Sequence, residues 1–157
     1  MTKSVEIRKI GIVGAGQMGN GIAQVCAQCG YSVTLADISE DVLEKAAKSI
    51  HGRLQRLVEK ERLTQDELET AIANISTTTD YAGFGDCDLV IEAATENEAI
   101  KKSIFEKLIP ALRDDAILAT NTSSISITRL AAATDRPSRF MGMHFMNPVP
   151  VMALVEL

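Results

Sequence analysis

The 157-residue chain contains no tryptophan, only two histidines and three cysteines, and no long apolar run. A membrane-spanning helix needs roughly 20 consecutive apolar residues, and no segment approaches that length. The first residues, MTKSVEIRK, lack the apolar stretch of a signal peptide. An odd, small number of cysteines fits a reducing compartment better than a disulfide framework. These absences predict a cytoplasmic protein with no membrane partner.

Acidic residues outnumber basic ones, 21 to 16. The net charge is −5 at pH 7, and no block of basic residues is present, which argues against a nucleic acid partner.

The histidines and cysteines lack the spacing of a zinc site. Cys26 and Cys29 form a C-x-x-C, which is open to interpretation as a redox or metal pair or as part of a helix core. Core packing is favoured because free cysteine behaves as a small buried apolar residue.

The most informative stretch is a glycine-rich turn near the N-terminus. An apolar run at 10–13 predicts a buried strand, and residues 20–29 have apolar positions at helical spacing. Between them lie glycines in the G-x-G-x-x-G spacing, which suits a tight bend, a close phosphate and close helix packing. The free N–H groups and dipole of the helix end favour a pyrophosphate. The predicted cofactor contacts in this turn are Gly14, Ala15, Gly16, Gln17, Met18 and Gly19.

A second predicted strand, 31–37, ends in Asp37, 18 residues after Gly19. Dinucleotide-binding folds place a carboxylate at about this point, where it accepts hydrogen bonds from the ribose hydroxyls. A carboxylate also repels a 2′-phosphate, and no arginine follows directly. The sequence therefore predicts NAD rather than NADP. The alternative, a glycine turn with a purely structural role, explains neither the flanking elements nor Asp37.

Strands and helices alternate along the rest of the chain. This order predicts an α/β fold with a doubly wound, mainly parallel Rossmann-type sheet, forming one NAD-binding domain over 1–157. A long helical hairpin follows the second strand and is either a solvated amphipathic pair or a basic arm for a large anionic substrate. Further strands are predicted at 75–77, 88–92, 116–120, 140–145 and 151–157, and helices at 39–62, 64–73, 95–109 (opened by a capping box, Thr95–Glu98) and up to 133.

Ligands of such sheets bind beyond the carboxyl ends of the strands. This rim would include His144, and oxidation of an alcohol needs a base of this kind for the hydroxyl proton. Glu156 would orient the ring if the last two strands are antiparallel neighbours, and Ser123 would add a hydroxyl. The alternative is a hydrogen-bonded His144 without a catalytic role and an exposed strand acid. The predicted rim comprises 14–19, Asp37, 93–98, 121–123 and 144–147.

Four stretches together resemble the N-terminal half of the 3-hydroxyacyl-CoA dehydrogenase family, and within it the bacterial 3-hydroxybutyryl-CoA dehydrogenases. They are KIGIVGAGQMGNGIAQ, IEAATEN, ATNTSSISIT and RFMGMHFMNPVPVMALVEL, and the resemblance extends over essentially the whole chain. It implies NAD as cofactor and hydride transfer that interconverts (S)-3-hydroxyacyl-CoA and 3-oxoacyl-CoA. It also implies that His144, paired with Glu156, is the general base.

The resemblance also assigns binding residues. It implies that Ser123 binds substrate near the nicotinamide, and that the helical arm meets coenzyme A through Lys60 and, where relatives can have serine, Arg53. The family continues into a helical C-terminal domain that completes the substrate site and forms a homodimer, so the 157-residue chain is expected to be inactive alone. A dehydrogenase of a free hydroxy acid or sugar acid, and an NAD-binding module without turnover, remain alternatives. The matched cofactor positions are Glu96, Lys101, Ser123 and Asn147.

Overall fold

The computed structural model describes residues 4–157, which form a parallel sheet with helices on both faces. The sheet strands are β1 (Lys9–Val13), β2 (Ser32–Ala36), β3 (Ile75–Thr78), β4 (Leu89–Glu92), β5 (Ile117–Thr120) and β6 (Phe140–Gly142). The helices are α1 (Gln17–Gln28), α2 (Glu40–Glu59), α3 (Gln65–Ala73), α4 (Glu98–Leu108) and α5 (Ile127–Ala132). None of the helices within 4–157 is both long and apolar enough to cross a membrane.

The strand order is β3-β2-β1-β4-β5-β6, and every neighbouring pair is parallel. The chain therefore winds outward from β1 in one direction and then from β4 in the other. This reversal opens a crevice between the carboxyl ends of β1 and β4, where α/β sheets bind their ligands. The predicted doubly wound, mainly parallel sheet is confirmed.

The sheet is buried on both faces because helices cover both. All four residues of β4 are buried, which explains why its sequence is a continuous apolar run rather than an alternating one. One core layer lies under α1, α2 and α3, and the other lies under α4 and α5. The fully buried side chains include Ile12, Ile22, Leu35, Ile50 and Leu54 in the first layer and Phe84, Phe105, Leu108, Leu118 and Leu130 in the second.

Two helix starts differ from the sequence prediction. Helix α1 begins at Gln17, three residues earlier than expected, so Gly19 lies inside its first turn. Helix α4 is capped by Asn97, whose side chain accepts from the Ile100 N–H at 3.0 Å. The predicted capping box over Thr95–Glu98 is therefore wrong. Glu98, the glutamate of that box, is the first residue of α4, and Glu96 lies outside the helix, hydrogen-bonded to the loop after β5.

The predicted sixth strand, 140–145, is divided. The Met143 N–H still donates to the Thr120 carbonyl at 2.9 Å, and the chain then leaves the sheet. The next residues form β7 (His144–Phe145), which pairs antiparallel with β8 (Val155–Glu156). The predicted seventh strand, 151–157, is therefore reduced to two residues. Together β7 and β8 form a small hairpin beside the carboxyl end of the sheet.

A buried ion pair joins the strand ends to α4. The Lys101 ammonium lies 2.6 and 2.9 Å from the two carboxylate oxygens of Glu92, and these side chains are 1% and 0% exposed. Glu92 also accepts from the Thr120 hydroxyl at 2.7 Å and from the Ala94 N–H at 2.8 Å. One carboxylate thus connects β4, β5, α4 and the loop after β4. Such a charge is tolerated in the interior because it is paired and hydrogen-bonded.

We predict that Lys101→Met destabilises the fold by roughly 3–5 kcal/mol, because it leaves the Glu92 charge buried without a partner. The double variant Glu92→Gln/Lys101→Met should recover part of this loss by removing both charges. The measurement is urea unfolding followed by circular dichroism. Lys102→Met is the matched control, since its ion pair with Glu98 is partly exposed and should be worth about 1 kcal/mol or less. An equal loss in the two lysine variants would contradict the prediction.

Candidate active site

The turn between β1 and α1 is shaped by close packing. Gly14 has a φ of +99°, and a Cβ there would lie 2.7 Å from the Ala93 carbonyl oxygen. A Cβ on Gly19 would lie 1.6 Å from the Gly14 carbonyl oxygen, which only glycine permits. A Cβ on Gly16 would meet nothing within 4 Å, so this part of the turn is open. Helix α1 has neither a side-chain cap nor an acid in its first turn, which leaves its N–H groups to an anion.

Asp37 lies at the carboxyl end of β2, beside this turn. One carboxylate oxygen accepts from the Ala15 N–H at 2.9 Å, and the other accepts from the Ser39 N–H at 3.1 Å. The carboxylate is therefore held in place beside the turn, next to a cleft of about 920 Å³ that it helps to line. The position is the one at which a dinucleotide presents its adenine ribose.

The cleft itself is largely apolar. Its walls include Ile38, a residue that is 91% exposed, together with Val42, Tyr81 and Ile104. Burial, followed by the charges of Asp37 and Glu92, raises the pKa of Tyr81, so its hydroxyl stays neutral. Transfer of a flat apolar ring from water into this cleft would be favourable. Asp37, at one end of the cleft, would then lie beside a sugar attached to that ring.

The loops after β4 and β5 are tied together by Glu96. Its carboxylate accepts from the Thr122 hydroxyl, from the Ser124 hydroxyl at 3.1 Å and from the Ser123 N–H at 3.1 Å. Burial raises the pKa of Glu96, but these hydrogen bonds outweigh it, so the pKa is lowered and the group is ionised at neutral pH. Ser123, the predicted substrate contact, is exposed on this loop. Direct contact of Glu96 with a cofactor stays a prediction.

His144 and Glu156 are brought together by the hairpin of β7 and β8. They are direct cross-strand partners, and His144 Nδ1 lies 3.0 Å from Glu156 Oε2. A carboxylate only accepts, so the neutral ring donates from Nδ1 and leaves Nε2 able to take a proton. The side chains are 27% and 63% exposed. The geometry is that of a base oriented by an acid.

The hairpin is fixed to the rim by contacts that the sequence reasoning missed. The Phe145 N–H donates to the Asn121 side-chain oxygen at 2.8 Å, and Gln17 Nε2 donates to the side-chain oxygen of Asn147 at 3.3 Å. Val149 is buried against α1, and a Cβ on Gly21 would lie 3.0 Å from it. The sequence feature that could have indicated this contact is Gly21, two residues after Gly19. Without a side chain at this position, the loop that carries Val149 can pack on α1.

The three predicted lysine and arginine contacts lie in different environments. The Lys101 amine is buried in its pair with Glu92, beneath the rim, so its direct contact with a cofactor stays a prediction. Arg53 is half-buried and donates to Gln24 and Asn20 of α1 at 2.6 and 2.7 Å. Lys60 is exposed at the end of α2. Their predicted contacts with coenzyme A are likewise untested by this geometry.

The cysteine environments favour the packing interpretation. Burial, followed by the neighbouring Cys29, raises the pKa of Cys26 to about 12, and burial raises that of Cys87 to about 11. Both thiols are therefore protonated at neutral pH and poor metal ligands or nucleophiles. Residues 4–157 contain no group of three or more histidine, cysteine, aspartate or glutamate side chains that could hold a metal ion.

Similarity to known proteins extends over almost the whole chain. The family model described as 3-hydroxyacyl-CoA dehydrogenase, NAD binding domain, matches residues 9–157. A 3-hydroxybutyryl-CoA dehydrogenase of Bradyrhizobium diazoefficiens is 53% identical over 151 residues, which are 96% of this chain and 52% of that protein. The rat mitochondrial hydroxyacyl-coenzyme A dehydrogenase is 41% identical over 99% of this chain and 51% of its own length.

Solved structures give the same result. The crystal structure of (S)-3-hydroxybutyryl-CoA dehydrogenase from Ralstonia eutropha matches with a TM-score of 0.93 and 51% identity, over 96% of this chain and 53% of that one. The chain spans about half the length of the curated relatives it matches. The predicted cofactor, NAD, is confirmed by the domain to which the family model corresponds. The chain belongs to the 3-hydroxyacyl-CoA dehydrogenase family, and it carries the NAD-binding domain of that family.

Proposed function

We propose that this chain is the NAD-binding half of an NAD-dependent (S)-3-hydroxyacyl-CoA dehydrogenase acting on short substrates such as 3-hydroxybutyryl-CoA. The observation that carries the proposal is the 3.0 Å contact between His144 and Glu156, beside the rim that holds the phosphate turn. An oriented histidine next to a dinucleotide site is what oxidation of a secondary alcohol needs. The names of the most similar relatives supply the substrate class.

The cofactor would lie across the crevice between β1 and β4. Its pyrophosphate would face the N–H groups at the start of α1, and its adenine ribose would bond to Asp37. Its nicotinamide end would reach the rim formed by Glu96, Ser123 and Asn147. NAD, when bound, supplies the hydride acceptor. The protein supplies the position of that acceptor and the proton transfer.

His144 would act as the general base. In the oxidation direction, Nε2 takes the proton of the C3 hydroxyl while the Nδ1–H remains bonded to Glu156. The carboxylate stabilises the imidazolium that forms and keeps the ring oriented. Ser123, on the facing loop, would bond to the substrate oxygen. In the reverse direction the imidazolium returns the proton, and the net reaction interconverts 3-hydroxyacyl-CoA and 3-oxoacyl-CoA.

Coenzyme A carries several phosphates, and the chain as a whole is acidic, so recognition depends on local positive charge. The C-terminal end of α2 provides such charge through Lys60, with Arg62 nearby in sequence. We propose that this end of the arm faces coenzyme A. Two nitrogens of Arg53 already donate hydrogen bonds to side chains of α1.

Asp37 should determine the choice of cofactor. Asp37→Ala is expected to weaken NAD binding by about 10–100-fold, the size expected for hydrogen bonds to a charged group. It should also remove the bias against NADP, because the repulsion of the 2′-phosphate is lost. Calorimetric titration with both cofactors measures this, with the exposed Asp41→Ala as the matched control. An unchanged ratio of the two affinities in Asp37→Ala would overturn the prediction.

His144→Ala, in a longer protein that carries this domain, should lower turnover by about 10²–10⁴ while NADH affinity stays within about twofold. Glu156→Gln should also lower turnover, though less, since it keeps a hydrogen bond but removes the charge that faces the imidazolium. Steady-state rates with 3-hydroxybutyryl-CoA, together with fluorescence titration of NADH, separate the two effects. Full turnover in His144→Ala would show that another group moves the proton.

The 157-residue chain by itself should bind NADH but not reduce acetoacetyl-CoA at an appreciable rate. Catalysis requires the substrate carbon to be held about 3–3.5 Å from the nicotinamide. Glu156 is 63% exposed, and solvent at that position weakens its coupling to His144. Val151, Leu154 and Leu157 are exposed as well, so weak self-association at this end is expected.

The test is a steady-state assay beside a fluorescence titration of NADH, with a longer relative such as the Bradyrhizobium enzyme as the positive control. Turnover close to that of the control would contradict the prediction, and so would failure to bind NADH. A free 3-hydroxybutyrate assay in the control protein separates dependence on coenzyme A from oxidation of a free hydroxy acid.

A further inference from the structure

The carbonyl of Gly16 accepts two hydrogen bonds from a single residue. The Asn20 backbone N–H donates to it at 3.0 Å, and the Asn20 side-chain Nδ2 donates to it at 2.7 Å. Because a peptide unit is planar, the N–H of Gln17 points in the opposite direction from this carbonyl. The carbonyl is directed into the helix, so the N–H is directed out of it, toward the place of the pyrophosphate. Asn20 therefore fixes the direction of a phosphate-binding donor.

The orientation of the Asn20 amide is in turn fixed by Arg53 of α2. Arg53 Nη2 donates to the Asn20 side-chain oxygen at 2.7 Å, and Arg53 Nε donates to Gln24 Oε1 at 2.6 Å. A guanidinium has only donors, so the amide oxygen must face it and Nδ2 must face Gly16. Asn20 is 9% exposed and Gln24 is 1% exposed, so water has little access to replace these bonds.

We propose that Arg53 is a positioning residue for the pyrophosphate site, acting through Asn20 on the peptide unit between Gly16 and Gln17. The relay runs from the long helix α2, across α1, to the phosphate-binding turn. It rests on NAD binding by the domain and does not depend on the proposed acyl-CoA substrate. Arg53 lies on α2, whose C-terminal end is proposed to face coenzyme A, but the hydrogen bonds of Arg53 orient the turn that binds NAD.

Loss of Arg53 has a defined local effect. The Asn20 side-chain oxygen would be buried without a donor, which is unfavourable, and the amide would be free to turn over. A reversed amide would direct its oxygen at the Gly16 carbonyl oxygen, and two acceptors repel each other. The peptide unit would then be held only by the bond from the Asn20 backbone N–H, and its orientation would be less fixed. Binding of phosphate should weaken, while the adenosine half, which depends on Asp37 and the apolar cleft, should be unaffected.

The experiment compares Arg53→Met, Asn20→Ala and the double variant of this chain, using NADH, ADP-ribose and adenosine as probes. NADH is followed by fluorescence, and the other two by competition against it. Each single variant should raise the Kd for NADH and ADP-ribose by about five- to tenfold, the effect of roughly one hydrogen bond, and leave the Kd for adenosine within about twofold. The double variant should be no worse than Asn20→Ala alone, since Arg53 acts through that residue.

Arg53→Lys and Arg56→Met serve as controls. Lysine keeps the charge but cannot reproduce the forked pair of bonds, so Arg53→Lys should bind ADP-ribose as weakly as Arg53→Met. Arg56 is an exposed arginine one turn further along α2, and its removal should leave all three affinities unchanged. Thermal unfolding of each variant shows whether it is folded. If Arg53→Met does not fold, Arg53→Lys replaces it in the comparison with Asn20→Ala.

Three results would overturn the proposal. Wild-type affinity for ADP-ribose in both Arg53→Met and Arg53→Lys would show that Asn20 orients the peptide unit without Arg53. A further loss in the double variant would show that Arg53 acts on phosphate without Asn20. An equal loss for adenosine and ADP-ribose would show that the substitution disturbs the fold in general rather than the phosphate-binding turn.

Discussion

Close packing at the end of β1 is the constraint on which the site depends. A Cβ on Gly19 would lie 1.6 Å from the Gly14 carbonyl oxygen, and Gly14 itself touches the loop after β4. With no side chains in this space, α1 starts directly above the strand ends and directs its N–H groups into the crevice between β1 and β4. Any larger residue would move the helix end away from the place where a pyrophosphate binds.

Carboxylates hold the loops around this helix end. Asp37 accepts from Ala15 and Ser39 on one side of the crevice, and Glu96 accepts from Thr122, Ser123 and Ser124 on the other. Beneath them, Glu92 binds Lys101 and two further donors. Some of the acidic groups that give the chain its net negative charge therefore accept hydrogen bonds from backbone N–H groups, and one of them pairs with a buried lysine. This preorganises the rim before any ligand is present.

The contact between His144 and Glu156 has a different origin. His144 and Glu156 meet because the chain leaves the sheet after Met143 and forms the hairpin of β7 and β8. The hairpin is attached by Asn121 and by Val149 packed on Gly21. The glycine-rich turn lies within one strand–helix unit. The contact between His144 and Glu156 instead depends on a hairpin that is attached by residues more than 20 positions away in the sequence. The Arg53 relay is likewise a contact between two helices. Both therefore require the assembled fold.

The sequence by itself determined the doubly wound, mainly parallel sheet, the glycine-rich turn, the position of Asp37 after the second strand and the family, because glycine spacing and apolar periodicity reflect local geometry. It also predicted the pairing of His144 with Glu156, conditional on antiparallel neighbours. It placed the helix cap at Thr95 instead of Asn97 and extended one strand through 140–145, since the competing hydrogen bonds of Glu96 and Phe145 come from distant segments. The environments of Lys101 and Arg53 were decided only by the tertiary structure. A charged side chain does not reveal whether it faces solvent or a buried partner, because that depends on which elements pack against it.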